Sequence, residues 1–470
     1  MSKLPFVGPA FDLNVAKASR QSSVNLFLRP METPSKASFI LDSIRGLITR
    51  WELGAEIRGV YRAGTRAFAV AGSTLYELFA DYTSTNRGTL LTSTGTVSMA
   101  YGLTQLVIVD GANGYVLALS TNVFAQITDT DWPGSATVRF LDNYFLFITP
   151  STQQAFISAI NDASTLDALD FASAESQPDL LVAQEVMGNE WLQFGTESTE
   201  SWSNYGATDY PFQRNRSIAI SKGCDAVHSV RPLDNGVAWI GGDKEGSNQV
   251  LMYRGGAPTI ISTEAVSEAL ATSTNLSAAV AYVERRGKHE FYCISAPGVS
   301  AVWAFDAFTS QWHKRCDLDG AGQLAAHRLT HCVYAFGKTL GGDADGNVYE
   351  LSDTTYTNAG DALVRERISA HEAKPSRKWQ FFSDFWLDCT TGESAQGDDP
   401  QVELSWSGDS GATWTNPILR AVGAIGNRMP IVRWVAQLGR ARDRLWKVRF
   451  SGNAPFAIVD ANWEAREGTN

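Results

Sequence analysis

The stretch SGDSGATW, residues 407–414, has the residue types of a turn that recurs in glycan-cleaving proteins. The fixed positions of this Asp-box pattern, Ser-x-Asp-x-Gly-x-Thr-Trp, are held by Ser407, Asp409, Gly411 and Trp414. In such a turn the Asp carboxylate accepts backbone N–H hydrogen bonds, the glycine takes a positive φ, and the tryptophan packs beneath the hairpin. These roles stabilise a turn, whereas cleaving a glycosidic bond needs separate catalytic carboxylates.

This turn most often accompanies sialidase-type hydrolysis, but the sequence shows no recognisable set of the residues that this reaction needs. The reaction needs an arginine cluster for the substrate carboxylate, a tyrosine nucleophile assisted by a glutamate, and an acid–base aspartate. The turn occurs once, whereas such enzymes repeat it. Four glutamates show no spacing that marks a paired acid and base: Glu185, Glu190, Glu197 and Glu200. We therefore predict no catalytic residues and no enzyme, with a carbohydrate-binding or glycan-hydrolysing β-propeller acting on a host surface as the alternative.

Two patterns could indicate a metal site. The run DADGNVYE places Asp343, Asp345 and Asn347 at alternate positions, as a calcium loop does, but it has no glycine at the sixth position and no glutamate at the twelfth. His327 and His331 are four residues apart, with no third ligand evident. The sequence also has no phosphate-binding loop and no Gly-x-Ser-x-Gly turn. We predict a hairpin turn at Asp343, no metal and no cofactor.

Basic residues are concentrated in one short part of a chain whose formal net charge is −11. Between positions 428 and 449 the only acidic residue is Asp443. The basic residues there are Arg428, Arg433, Arg440, Arg442, Arg444, Lys447 and Arg449. We interpret them as a candidate interface with an acidic partner subunit or with DNA, and a solvated strand face is the alternative.

The composition favours many short strands over helices or disorder. Of 470 residues, 44% are hydrophobic and 19% charged, with 40 glycines for tight turns. The acidic balance argues against a protein that coats nucleic acid with its whole surface. No apolar run is long enough for a signal peptide or a membrane span. The five cysteines are odd in number and include no Cys-x-x-Cys pair, so we expect reduced thiols.

Hairpins recur along the first three quarters of the chain. Strand-like segments that carry an aromatic residue or Leu start at positions 72, 112, 151, 195, 248, 300 and 345, and each has a second apolar strand upstream. A spacing of about 40 to 50 residues is typical of β-propeller blades. A lone blade cannot bury both of its faces, so we expect a closed ring, with a strand from residues 24–60 completing the last blade. One large β-sandwich is the alternative.

Two segments depart from this hairpin pattern. The run ISTEAVSEAL, residues 261–270, has apolar residues at helical spacing after Ser262 and Thr263, which predicts a short helix between blades. Beyond a charged segment at 363–380, six alternating strands in about 90 residues predict a sandwich. In the last but one of these strands, Trp446, Val448 and Phe450 should point inward.

The sequence thus predicts an all-β protein, a six- or seven-bladed β-propeller with small inserted helices followed by a C-terminal β-sandwich. The expected divisions are an N-terminal arm at 1–50 that partly closes the propeller, a propeller at 51–362 with insertions near 203–232 and 261–283, a linker at 363–380 and a sandwich at 381–470.

Residues 195–270 resemble the packaged-DNA stabilisation proteins of short-tailed phages, the podoviruses. In that family a Glu-x-Trp blade end, a Pro-Phe-x-Arg segment, a Gly-Cys/Ser-x-Ala strand and an Ile-Ser-Thr helix follow in this order. The matching positions are Glu200 with Trp202, Pro211 to Arg214, Gly223 with Cys224, and Ile261 to Leu270.

Two further stretches are similar to phage tail proteins. Residues 24–47, VNLFLRPMETPSKASFILDSIRGL, look like the same family's opening Val-Asn arm, although Arg45 stands where a proline is expected. Residues 434–450, WVAQLGRARDRLWKVRF, are similar to a Leu-Gly-x-x-Arg-Asp strand common in related tail proteins. The resemblance therefore covers most of the chain.

The resemblance implies a structural virion protein, the tail hub. In the family, a ring of six copies docks below the portal on the head-to-tail connector, narrows the exit channel, retains the packaged DNA until genome ejection, and binds a tail needle, spikes or fibres. By the same resemblance, the protein would be made in the host cytoplasm, reside in the virion tail and not insert stably into a membrane. The resemblance leaves open whether it contacts the packaged DNA in the channel.

Overall fold

A ring of small four-stranded sheets and a two-sheet sandwich make up the computed structural model. The structure describes residues 2–32, 36–149, 151–173, 179–207, 210–218, 220–243, 246–373, 376, 378–435 and 438–468. Within these residues the helical elements are Val227–Ser229, Glu264–Ala271 and Leu276–Ala278, of which the first and third are short 3-10 turns. No helix in this part of the chain has the length and apolarity needed to cross a membrane.

Seven blades are formed by the described residues, each an antiparallel meander that runs outward from the ring axis. The inner strands of blades 1 to 7 are Ile57–Ala63, Ser98–Gly102, Val138–Leu141, Leu181–Met187, Arg231–Leu233, Val280–Arg286 and His331–Ala335. The second strands are Arg66–Ala71, Gln105–Val109, Tyr144–Ile148, Glu190–Gly195, Gly236–Asp243, His289–Ser295 and Lys338–Gly342.

The outer half of each blade completes the meander. The third strands are Thr74–Leu78, Gly114–Ala118, Gln154–Ala159, Thr199–Asn204, Gly246–Tyr253, Val302–Asp306 and Asn347–Ser352. The outermost strands are Ser84–Thr89, Val123–Gln126, Asp162–Ser173, Phe212–Arg214, Thr259–Ile260, Gln311–Leu318 and, for blade 7, Gly46–Glu52. The predicted propeller is confirmed, and the blade count left open by the sequence is seven.

The ring closes because a strand that precedes blade 1 in the sequence completes blade 7. Gly46–Glu52 pairs antiparallel with Asn347–Ser352, with Leu47 opposite Leu351 and Trp51 opposite Val348. The inner strands contact one another in sequence around the ring, and that of blade 7 contacts that of blade 1. The first and last blades are therefore joined by backbone hydrogen bonds as well as by packing.

The hydrophobic cores lie between blades. In the second strand of blade 2, Leu106 and Ile108 pack toward blade 1, whereas Val107 and Val109 pack toward blade 3. Equivalent clusters separate every neighbouring pair of blades. Because both faces of a blade are covered, its strands are near-continuous apolar runs.

The predicted helix is present as Glu264–Ala271, between blades 5 and 6. Val266 and Leu270 are buried in the core that these blades share. Thr263 is the N-cap residue but makes no side-chain cap hydrogen bond. The Ser262 hydroxyl instead accepts a hydrogen bond from Val250 N at 3.1 Å, so it ties the helix start to blade 5.

The sandwich is built from both ends of the chain. One sheet has the strand order Leu26–Pro30, Phe39–Ser43, Ala457–Glu467, Gln380–Cys389 and Val432–Val435, with Ser2–Leu4 and Arg440–Ala441 paired at its side. The facing sheet has the order Arg20–Val24, Arg365–Ile368, Leu445–Phe450, Gln401–Ser407 and Ile418–Ala421, with Phe11–Asp12 at its side. Short pairings near the blades are made by Leu324–Ala326, Thr357–Asn358 and Asp361–Ala362.

Strand Leu445–Phe450 follows the predicted alternation, with Trp446, Val448 and Phe450 buried in the sandwich core. The 363–380 segment contains the strand Arg365–Ile368, which pairs on one side with Arg20–Val24 and on the other with Leu445–Phe450. This segment is therefore part of a sheet over those four residues.

The two bodies meet at Asn25, which is fully buried in a left-handed conformation with φ of 54°. Its side-chain amide donates to the carbonyls of Cys316 and Val364, both at 2.7 Å. Its side-chain oxygen accepts from Cys316 N at 2.9 Å. The Asn25 backbone N–H also donates to Lys314 O at 2.8 Å. One residue thus connects the N-terminal arm, the outer strand of blade 6 and the segment that leads into the sandwich.

We predict that Asn25→Ala lowers the free energy of unfolding by about 3 kcal/mol or more, because one buried N–H and two buried carbonyls lose their partners. Urea-induced unfolding followed by tryptophan fluorescence measures this change. The matched control is Asn235→Ala, since Asn235 also has a positive φ, of 55°, but lies exposed in a hairpin turn. Equal losses in the two variants would contradict the assignment.

Candidate functional site: the Asp-box turn and the basic residues of the sandwich

The Asp-box turn follows strand Gln401–Ser407 and is closed by its own side chains. The Asp409 carboxylate accepts from Ser407 Oγ at 2.6 Å, from Thr413 N at 2.9 Å and from Thr413 Oγ1 at 2.5 Å. The Ser407 hydroxyl oxygen accepts from Gly411 N at 2.9 Å, and Gly411 has a φ of 86°. Ser407, Asp409 and Thr413 therefore fix the path of the backbone.

The electrostatics of this turn are unlike those of a catalytic acid. Hydrogen bonds from Ser407 and Thr413 lower the pKa of Asp409 to about 2. A general acid needs a raised pKa so that it holds a proton at neutral pH. Trp414 is half-buried, with Lys447 Nζ 4.3 Å from its ring centroid, so the aromatic face is occupied by a cation.

The seven basic residues of the sequence cluster are divided among different environments. Arg428 is paired with Glu393, Arg433 with Asp384 at 2.7 Å and Arg449 with Glu366 at 3.8 Å. Arg444 is buried, and Lys447 lies over Trp414. Each paired arginine has its charge largely balanced by the neighbouring carboxylate.

Arg440 and Arg442 remain exposed and form no ion pair with a described residue. Both guanidinium groups lie over the Trp379 ring, at 4.7 Å and 5.0 Å from its centroid. In the same sheet, Phe381 stands opposite Arg440 on one side and opposite Arg466 on the other. We call these five residues, Trp379, Phe381, Arg440, Arg442 and Arg466, the Arg–Trp patch.

Sheet alternation explains why the Arg–Trp patch faces outward. Phe382 and Ala441 belong to the sandwich core, so their sequence neighbours on the same strands point to the opposite face. Phe381 is accordingly 46% exposed. The basic cluster found in the sequence did not include Trp379, Phe381 or Arg466, because these residues are far from Arg440 in sequence and come beside it only when the strands pair. The one sequence signal for them is the alternation of the aromatic residues Trp379 and Phe381, which places both on the same face.

Arg444 has the opposite role to its neighbours. Its guanidinium lies 3.9 Å from the Phe382 ring, 5.0 Å from that of Trp446 and 5.4 Å from that of Trp406, and Nη1 donates to Leu438 O at 2.5 Å. Burial lowers its pKa to about 9, so the group remains charged at neutral pH. Arg444 is a core residue of the sandwich.

Two further acidic residues considered in the sequence, Asp343 and Glu185, hold the fold together through hydrogen bonds and an ion pair. Asp343 accepts from Asp345 N at 3.0 Å, from Asn347 N at 2.8 Å and from Tyr349 OH at 2.6 Å, so its carboxylate closes a hairpin turn. Glu185 is paired with Arg139 at 2.7 Å. Over the part of the chain that the structure describes, no group of three His, Cys, Asp or Glu residues is placed to hold a metal ion.

Removing the Asp409 carboxylate should lower the melting temperature at pH 7. Because the folded-state pKa of Asp409 is depressed to about 2, against about 3.9 for an unperturbed aspartate, its contribution is complete above about pH 4 and is lost as the pH falls toward 2. The gap in Tm between wild type and Asp409→Ala should therefore be constant from pH 7 to about pH 5 and shrink below about pH 4.

The control for Asp409 is Asp398→Ala, an exposed aspartate in the loop before the same strand, with no side-chain hydrogen bond to a described residue. We expect it to leave the melting temperature unchanged at each pH. A gap that widened on acidification would show that Asp409 does not stabilise the turn through its charged form.

Arg444 and Arg440 should respond differently to truncation. Arg444→Ala should cost about 2 to 4 kcal/mol, because it leaves a cavity among three aromatic rings and removes a desolvated cation–π contact. Arg440→Ala should change the free energy of unfolding by less than about 0.5 kcal/mol, as is usual for an exposed side chain. Urea unfolding of both variants measures the difference, and similar losses would place Arg440 in the core with Arg444.

Comparisons with solved structures give weak likenesses. The chain is similar to the computationally designed Ika8 protein at 14% identity and a TM-score of 0.39, over 74% of this chain and 99% of that one. It is similar to the N-terminal domain of Nup159 at 10% identity and a TM-score of 0.43, over 70% of this chain and 99% of that one. For virginiamycin B lyase from Staphylococcus aureus the values are 6% and 0.45, over 64% and 97%. Such values carry no information about what the chain does, and no curated protein matches it.

Family models match nearly the whole chain. Residues 13–356 match the model described as bacteriophage P22 Gp10, beta-propeller, and residues 368–466 match bacteriophage P22 Gp10, beta-sandwich. The two models follow one another in the order of the two bodies described above. The resemblance to packaged-DNA stabilisation proteins is thereby confirmed, and this family is structural rather than enzymatic. The chain belongs to the bacteriophage P22 Gp10 family and is a structural protein of the phage tail that stabilises packaged DNA.

Proposed function

We propose that this protein is the tail hub of a short-tailed phage. Six copies form a ring that docks below the portal on the head-to-tail connector and closes the DNA exit channel until ejection. The ring offers docking faces for a tail needle, spikes or fibres. The protein is made in the host cytoplasm, resides in the virion tail, and acts without catalysis, metal or cofactor. The observation that carries this proposal is the match of both Gp10 models along one chain.

A closed propeller suits this mechanical task. Each blade is packed on both faces, so a subunit resists deformation as one unit. A ring of such subunits encloses a channel by symmetry, and the load of the packaged DNA is carried by the area of the interfaces. The proposed activity therefore depends on assembly and not on a nucleophile.

Three segments are our candidates for contacts between subunits and with the connector: 203–232, 261–283 and 363–380. Within the first two, the candidate parts are those outside the blade strands Phe212–Arg214, Arg231–Leu233 and Val280–Arg286. Supporting observations are the 64% exposure of Tyr205 in the first and the helix Glu264–Ala271 in the second. In the third, Arg365–Ile368 is occupied by sheet pairing, so we assign the contact to the part after Ile368.

We assign the Arg–Trp patch to a contact with an acidic face of a partner protein in the tail. Arginine and tryptophan are the side chains most enriched among the residues that dominate binding energy at protein interfaces. Arg440 and Arg442 are already oriented by Trp379, which reduces the entropy lost on binding. With three arginines, the patch is small for DNA, whose binding depends on neutralising many phosphates.

Docking of the purified protein onto a purified portal–connector ring tests the proposal. Wild type should bind, and Arg440→Ala/Arg442→Ala should weaken binding about tenfold or more, with a smaller dependence of affinity on salt. The matched control is Arg62→Ala/Lys288→Ala, which removes one exposed charge near the end of the inner strand of blade 1 and one from a propeller turn.

Three outcomes would change the account. Failure of wild type to bind the connector, together with its absence from purified virions, would contradict the hub. Unchanged docking by the Arg440/Arg442 variant would remove the Arg–Trp patch from this interface. A loss of affinity for a double-stranded DNA fragment in that variant alone would reassign the patch to DNA.

A further inference from the structure

The inner strands of all seven blades surround an axial cavity of about 560 Å³. Its polar lining includes Arg139, Glu185, His228, Arg231 and His331, which we call the axial pocket. Arg231 and His331 are the first residues of their inner strands, and Arg139 is the second of its own. Because inner strands run in the same direction around a propeller, these side chains meet at one end of the ring.

The charges of the axial pocket do not balance. Arg139 and Glu185 form a bidentate pair, with Nε–Oε1 and Nη2–Oε2 distances of 2.7 Å and 2.8 Å, so each satisfies the other. Arg231 donates Nη1 to Val230 O at 2.9 Å and forms no ion pair with a described residue. Burial and the nearby positive charge of Arg139 lower the pKa of Arg231 to about 10. The Glu185 carboxylate, which opposes this lowering, is shared between Arg139 and Arg231, so these three groups carry an excess of one positive charge.

Two histidines add hydrogen-bonding capacity beside Arg231. His331 is 8% exposed; its Nδ1 is 2.9 Å from Thr330 Oγ1, and its Nε2 has no hydrogen-bond partner among the described residues. Burial and the charge of Arg231 lower the pKa of His228 and of His331 to about 3, so both are neutral at pH 7. When the Thr330 hydroxyl donates to Nδ1, the Nε2 of a neutral His331 carries the N–H, and an unsatisfied buried N–H is costly unless something binds to it.

We propose that the axial pocket binds a small oxyanion, a phosphate group that is free or carried by a phosphate monoester, through Arg231 with His228 and His331 as additional donors. Guanidinium and imidazole N–H groups match the acceptor oxygens of phosphate. Bound there, the anion supplies the counter-charge that Arg231 lacks and a partner for His331 Nε2.

The apolar part of the cavity lining favours a ligand that carries an organic group in addition to the phosphate. The cavity is lined beyond the polar residues by apolar side chains, among them Val60, Met99, Val186 and Val283. A volume of about 560 Å³ lies in the usual range for small-molecule sites and exceeds what an isolated phosphate fills. The proposal does not depend on the tail-hub assignment, because it concerns the inside of one subunit.

Isothermal titration calorimetry of the full-length protein tests the site with two probes, inorganic phosphate and ribose 5-phosphate. We expect binding in the range of about 10 µM to 1 mM for at least one probe. Arg231→Gln should weaken it at least tenfold, as for a lost charged hydrogen bond, and His331→Gln about threefold. Preferential binding of ribose 5-phosphate identifies a monoester as the ligand, and equal binding identifies free phosphate.

Arg254→Gln is the matched control, since Arg254 follows the third strand of the same blade outside the cavity lining, is paired with Asp234 at 2.6 Å and has a side chain that is 47% exposed. It should bind both probes as wild type does. If Arg231→Gln fails to fold, Arg231→Lys replaces it. This variant keeps the charge but loses the guanidinium fork, so it and His331→Gln should each still weaken binding of the probes. Absence of binding by the folded wild type at about 10 mM of either probe, or equal weakening by Arg254→Gln, would overturn the proposal without affecting docking on the connector.

Discussion

The pairing of Gly46–Glu52 with Asn347–Ser352 is the constraint on which the rest of this structure depends. A blade buries its two faces only against two neighbours, so an open row of blades would leave the outer faces of the first and last ones in water. Closure converts Trp51, Ile57, Leu340 and Val348 into one more buried core, equivalent to those between the other blades. Since the two strands that pair lie about 300 positions apart in sequence, closure also makes the propeller dependent on its own N-terminal arm.

The same arm makes the sandwich inseparable from the ring. Between Arg20 and Ser43 it gives strands to both sandwich sheets, and Asn25, at the crossing between them, is bonded to blade 6 and to the segment leading into the sandwich. The blade 6 sheet continues into the sandwich through the contact of Val24 with Lys314. Arg367, fully buried, holds the N-terminal residues Phe6 and Pro9 through their carbonyls. A structural tail protein gains from this arrangement, because a force applied to the sandwich is passed to the ring through paired backbone rather than through a flexible linker.

The sequence predicted the fold of the protein better than it predicted which residues form its candidate binding surfaces. The spacing of the hairpins, the helix and the alternation at Trp446, Val448 and Phe450 are local signals, and the structure has all three. The blade count stayed open because outer strands such as Phe212–Arg214 and Thr259–Ile260 are too short to show periodicity. The basic cluster looked uniform in sequence, yet Arg444 is enclosed by aromatic rings while Arg440 is exposed. Strand alternation and aromatic residues decide these environments, and two of the three rings around Arg444, Phe382 and Trp406, are distant in sequence. The axial pocket left no sequence signal, because its residues come from different blades.

The central claim is that this chain is a closed seven-bladed subunit of the phage tail, and a reconstruction of the virion neck tests it most directly, with the polypeptide identified in the same particles by mass spectrometry. The account predicts ring-shaped density below the portal into which the propeller and sandwich fit as one body, with the strand Gly46–Glu52 completing the seventh blade. A neck that lacks this polypeptide, or subunit density that is an open layered molecule without a closed ring, would contradict it.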